Sequence, residues 1–146
     1  MTDVLEAART IDRPIDEVFA RMTDIEGILD WSGGTVVEFR DVPEGKPSPG
    51  DTFIRVFDLG GQRVEAPTEV VAYEAPTRYA HRSEQPFTVT NTFELEEVNG
   101  STQVTIRSEA ELTGTFAQMR DEMLPRVQEQ TEQTLDNLKN LLESGR

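Results

Sequence analysis

His81 is the only histidine of the chain, and Tyr79 precedes it by two residues. On a β-strand that spacing puts both side chains on one face. An imidazole beside a phenol in an enclosed site can act as general acid and base. The plainer alternative is a strand histidine that packs or hydrogen-bonds. One imidazole alone cannot build a histidine-based metal site, so neither metal nor cofactor is expected. Asn91 and Ser108 are polar interruptions of otherwise apolar strand faces. Burying either without a partner costs ~1–3 kcal/mol. They bond to each other or to water, or they line a cavity and orient a ligand. Trp31, Phe39, Phe57, Phe93, Met119 and Met123 are candidates for the walls of such a cavity, or else ordinary core. Methionine adapts to irregular apolar shapes. Arg55 stands between Phe53 and Phe57 at strand spacing. If that face points inward, Arg55 is a clamp for an anion or a carbonyl. If the Ile54 and Val56 face does, Arg55 is exposed. Exposure is expected, because a buried guanidinium needs a partner.

These side chains need a sheet and something for it to close on. Residues 4–11 read as a first strand. Pro14 then opens a helix, with Asp16 and Glu17 in its first turn and Ile15, Val18, Phe19 and Met22 on its apolar face. Thr23-Asp24 can cap a second short helix through Leu29, which ends at Trp31 and Gly33-Gly34. Strands are predicted at 35–40, 52–57, 62–73, 78–83, 87–97 and 101–112. Gly60-Gly61 and Asn99-Gly100 read as hairpin turns, and Pro67 suggests an edge or a bulge. Period two puts Phe87, Val89, Asn91, Phe93 and Leu95 on one inward face, and Val104, Ile106, Ser108, Ala110 and Leu112 on the next. Tyr79, His81 and Ser83 point the same way. Residues 116–143 carry an apolar stripe at helical spacing, which Pro125 should bend or split between Asp121 and Leu124. Gly145 is a plausible stop. The expected fold is α+β: a curved antiparallel sheet of six to seven strands, two short helices after the first strand, and a long C-terminal helix gripped by the sheet.

Composition narrows the function. The chain has 146 residues, the length of one domain, and a formal net charge of −14. That charge opposes binding to nucleic acid and stable association with anionic membranes. There is no cysteine, hence no disulfide or thiol chemistry. The first residues include acids and no apolar run, so no signal peptide is expected, and no stretch is long enough to span a bilayer. A cytoplasmic protein, monomer or homodimer, is the simplest expectation. Acidic clusters such as Glu94/Glu96/Glu97 read as solvated surface. No carboxylate pair sits in an apolar frame, and there is no nucleophile elbow, P-loop or dinucleotide glycine pattern.

Several segments resemble a known family. Ile11-Asp12-Arg13-Pro14-Ile15-Asp16-Glu17-Val18-Phe19 resembles the opening of the polyketide cyclase/dehydrase and lipid-transport group of the START-like helix-grip (SRPBCC) superfamily. Trp31, the segment from Glu69 to Tyr79, the hairpin around Gly100 and the helix end from Leu135 to Glu143 are similar to that family's as well. The resemblance covers nearly the whole chain and rests on scaffold motifs. It implies an apolar cavity between sheet and long helix that holds a small hydrophobic, lipid-like or polyketide-like ligand. It equally allows a cyclase or dehydratase, with His81 and Tyr79 as the proton-transfer pair. A third reading is a partner-binding protein whose cavity is filled by side chains. Fold alone does not choose among them.

Overall fold

The computed structural model describes residues 2–32, 36–59, 61–85 and 87–144. Gly33-Gly34, Thr35, Gly60 and Gly145, to which the sequence reading gave turns, a strand start and a stop, lie outside the described residues. β1 (Asp3–Ile11) leads into α1 (Ile15–Met22) and a short 3-10 helix (Glu26–Asp30). Then come β2 (Val36–Arg40), β3 (Thr52–Leu59), β4 (Gln62–Glu74), β5 (Arg78–Ser83), β6 (Thr88–Val98) and β7 (Ser101–Glu111). The chain ends in α2 (Gly114–Gln118) and α3 (Arg120–Ser144). Among the described residues the strands form one seven-stranded antiparallel sheet in the order β1-β7-β6-β5-β4-β3-β2. The first and last strands are neighbours, so β1 and β2 are the edges. This is the expected helix-grip fold.

Local chemistry explains most elements. Pro14 caps α1 in an extended conformation, and Asp16 and Glu17 occupy its first turn. Asn99 and Gly100 both take positive φ, 52° and 84°, as a two-residue type I′ turn requires. Thr23 differs from expectation: its hydroxyl donates back to the Phe19 carbonyl at the end of α1 and caps nothing downstream. The segment after it is correspondingly only a 3-10 turn. β4 is continuous through Pro67. Its bulge lies between Val70 and Ala72, not at Pro67. The β5 partner ends opposite Thr68, so Pro67 has an unpaired flank where a missing donor costs little.

The end of the chain also departs from expectation. The helix breaks at Met119, not between Asp121 and Leu124. Met119 has φ −94° and ψ 8° as the cap of α2. Pro125 stays inside α3. Its ring crowds the Asp121 carbonyl one turn back. With the break two residues upstream of Asp121, that clash falls at the start of α3 and not in its middle. α3 then runs along the β1 edge. Gln128 donates to the Glu6 carbonyl at 3.0 Å, Arg9 to Asp136 at 2.8 Å and Arg13 to the Leu142 carbonyl at 2.9 Å. The helix thereby covers an edge that would otherwise offer free backbone groups.

The core sits at the C-terminal end of α3. Leu135 and Leu138 are fully buried there, packed in one cluster with Ile11, Val18, Phe19, Met22, Val70, Tyr79 and Val104. The N-terminal half of α3 carries no fully buried residue. It roofs something other than packed core.

Candidate ligand cavity

Between the inner sheet face and the N-terminal half of α3 lies a cavity of about 510 Å³. That volume suits a small organic molecule. Antiparallel register builds its floor in rows. His81 on β5 lies opposite Asn91 on β6, which lies opposite Ser108 on β7, which lies opposite Leu5 on β1. All four line the cavity. The Ser108 hydroxyl donates to Asn91 Oδ1 at 2.6 Å. The two side chains bond to each other and also face the cavity. The Asn91 amide nitrogen has no protein acceptor among the described residues. The row above is Ser83, Val89 and Ala110; the row below is Tyr79, Phe93 and Ile106.

The sequence-derived wall residues divide. Trp31, Phe39, Phe57 and Phe93 line the cavity, as do His81, Asn91, Ser108 and Met123. Tyr79 and Met119 do not. Tyr79 is fully buried behind the wall, edge-on to Tyr73 and His81. Its hydroxyl has no protein partner among the described residues. Met119 is the helix break and is 45% exposed. The Tyr79–His81 pair shares a face as expected, yet only His81 reaches the cavity.

Arg55 corrects the expectation of exposure. The Phe53, Arg55 and Phe57 face points inward, and Arg55 lines the cavity. Nε donates to Thr68 Oγ1 at 3.1 Å and Nη2 to Ser83 Oγ at 3.0 Å. The guanidinium lies over the Phe57 ring at 5.0 Å, a cation–π contact. Arg55 is part-buried, and the surface it keeps faces the cavity. The opposite strand face misled because it is apolar too. Val56 is buried on the outer side, opposite Glu38 and Glu65, and Arg40 bonds to both carboxylates across it. Long charged side chains shield an apolar residue there.

Burial sets the protonation states. It lowers Arg55 to about 10, with Tyr79 opposing the shift, so the guanidinium is charged at neutral pH. It holds His81 well below the ordinary histidine range, and the nearby Arg55 charge pushes the same way. His81 is therefore neutral, ringed by Phe53, Tyr79 and Phe93 at 5.6–6.3 Å, with Nδ1 lacking a protein partner among the described residues. Burial raises the Tyr79 phenol, Arg55 opposing and Tyr73 reinforcing. A weak base on the wall and a reluctant acid behind it make a poor proton-transfer pair. Among the described residues no cluster of His, Cys, Asp or Glu could hold a metal ion.

The roof was only half read from sequence. Met123 and Val127 continue at helical spacing into Gln130, Thr131 and Thr134, and all five line the cavity. Gln130 and Thr134 also bond to the Ser32 carbonyl, tying α3 to the segment that carries Trp31. Polar residues entering the apolar stripe were the available signal.

A sequence model described as polyketide cyclase/dehydrase and lipid transport matches residues 2–143. No curated protein sequence matches the chain. Solved structures share the fold at low identity. The Thermus thermophilus protein TTHA0849 superposes with a TM-score of 0.79 at 19% identity, covering 98% of this chain and 99% of that one. Ara h 8.0201 gives 0.76 at 15%, covering 99% of each. DynU16, from the dynemicin biosynthetic locus, gives 0.74 at 16%; the match covers 99% of this chain and 48% of that one.

Proposed function

Because the chain belongs to the polyketide cyclase/dehydrase and lipid-transport family, we propose that it binds a small hydrophobic ligand, lipid-like or polyketide-like, between its sheet and α3. The observation that carries this reading is the 510 Å³ cavity, walled mainly by apolar side chains, with the His81, Asn91 and Ser108 row across its floor. Burial of the ligand's apolar surface supplies the driving force, ~25 cal/mol per Å² before ordering costs. His81, Asn91 and Ser108 set its orientation. The partner-binding reading required side chains to fill this space. Tyr79 lies behind the wall and does not line the cavity, which supports holding over proton transfer by the Tyr79–His81 pair. No helix of the described residues is long and apolar enough to cross a membrane.

Native mass spectrometry with an added neutral apolar probe, phenylnaphthylamine, tests the reading. One probe per chain is expected in the wild type and in His81→Ala, and none in Ala110→Phe, whose new ring fills the floor. Equal binding by the filled variant overturns cavity binding. Turnover of a polyketide-like substrate that His81→Ala abolishes would instead support the cyclase alternative.

A further inference from the structure

Arg55 is a charged group held in place with no counter-charge among the described residues. The chain carries 28 acidic residues against 14 basic ones. Among the described residues every other arginine except Arg126 reaches a carboxylate. Arg55 and Arg126 do not, and both line the cavity. In so acidic a chain, a cation facing an apolar space without an acid is a departure from the chain's own pattern.

The surroundings hold Arg55 without neutralising it. Thr68 and Ser83 accept one hydrogen bond each, and both are buried hydroxyls. Thr68 in turn donates to the Ala66 carbonyl at 2.9 Å, which fixes its lone pairs toward Arg55. The guanidinium carbon lies over the Phe57 ring at 5.0 Å from its centroid. A guanidinium has five N–H groups in a planar fork. Two are used, and Nη1 has no protein acceptor among the described residues. A neutral carbonyl would satisfy N–H groups and leave the part-buried charge without a counter-ion. An oxyanion would satisfy both. Arg126, exposed and on the cavity's rim, adds positive potential where a ligand would enter.

We infer that the ligand is a singly charged organic acid, a carboxylate on an apolar alkyl or aryl body, with Arg55 receiving the carboxylate inside the cavity. The inference rests on the cavity-binding reading above and narrows its chemistry. The apolar body then lies along Phe39, Phe57 and the Met123–Val127 roof.

Titration calorimetry with matched pairs tests it: decanoate against decanol for an alkyl body, naphthaleneacetate against naphthaleneacetamide for an aryl one. The wild type should bind the acid of at least one pair on the order of tenfold more tightly than its neutral partner, as charge-assisted bonds give. Whichever pair binds better identifies the body. Arg55→Met should abolish the preference while keeping affinity for the neutral partner. Arg82→Met, an exposed arginine of the same sheet, should leave the preference intact. Ser83→Ala, which keeps the charge but loosens the fork, should weaken the preference in part. Equal affinity for acid and neutral partner in the wild type, or a preference that survives Arg55→Met, overturns the inference and leaves cavity binding standing. Binding of none of the four while phenylnaphthylamine still binds overturns the inference alone; loss of phenylnaphthylamine binding as well overturns both.

Discussion

His81 shows how one residue's surroundings set its chemistry. Its folded pKa is lowered by burial and by the Arg55 charge, whereas an unfolded histidine titrates near ~6.5. Above that pH neither state holds the proton and the group has no effect. As pH falls below ~6.5 the unfolded chain takes up a proton that the folded chain refuses. Stability should then fall by up to ~1.4 kcal/mol per pH unit. Chemical denaturation between pH 7 and about 5, above the carboxylate range, measures this slope. His81→Phe should flatten it; a slope that persists places its origin elsewhere. At this scale alternation made the inward faces of β5, β6 and β7 legible, down to the Asn91–Ser108 pair. Arg55 was not legible. Both faces of β3 are apolar, and only the Arg40 bridge over Val56 reveals which one is outside.

α3 is two devices in one element. Leu135 and Leu138 lock its C-terminal half into the core, while Met123 and Val127 only roof the cavity. Truncations should therefore separate stability from binding. Leu138→Ala should cost ~2–5 kcal/mol, as buried leucines do. Val127→Ala should cost less than ~1 kcal/mol and still change affinity for a bound probe. Paired urea unfolding and probe titration check both. A Val127→Ala loss as large as that of Leu138→Ala would show the roof to be packed core. The amphipathic stripe was plain from sequence, but period alone cannot say whether an apolar face meets side chains or space. The break was misplaced for a related reason. Pro125 marks strain in the helix, whereas its release depends on where the chain can leave helical geometry, and that point is Met119.

Across the molecule, the net charge of −14 is carried by a surface whose ion pairs are mostly exposed. Such pairs contribute little each, while repulsion among unpaired carboxylates extends over ~30 Å at 0.01 M salt and ~10 Å at 0.1 M. The midpoint of thermal unfolding should rise with sodium chloride over that range. A flat or falling midpoint would mean that surface pairs outweigh repulsion. The fold as a whole was legible because every level agreed: turn residues, strand period and a terminal amphipathic helix. The polar groups facing the cavity were less legible, since a hollow leaves no periodicity in the chain that encloses it.

Trp31 is the only tryptophan and stands in the cavity wall. Its fluorescence is thus a direct reporter of occupancy, and titration with phenylnaphthylamine is the most direct measurement. Saturable quenching at one probe per chain is predicted for the wild type, and its loss in Ala110→Phe. An unquenched Trp31 in the wild type, or identical curves for the two proteins, would contradict the claim that the space under α3 admits a ligand.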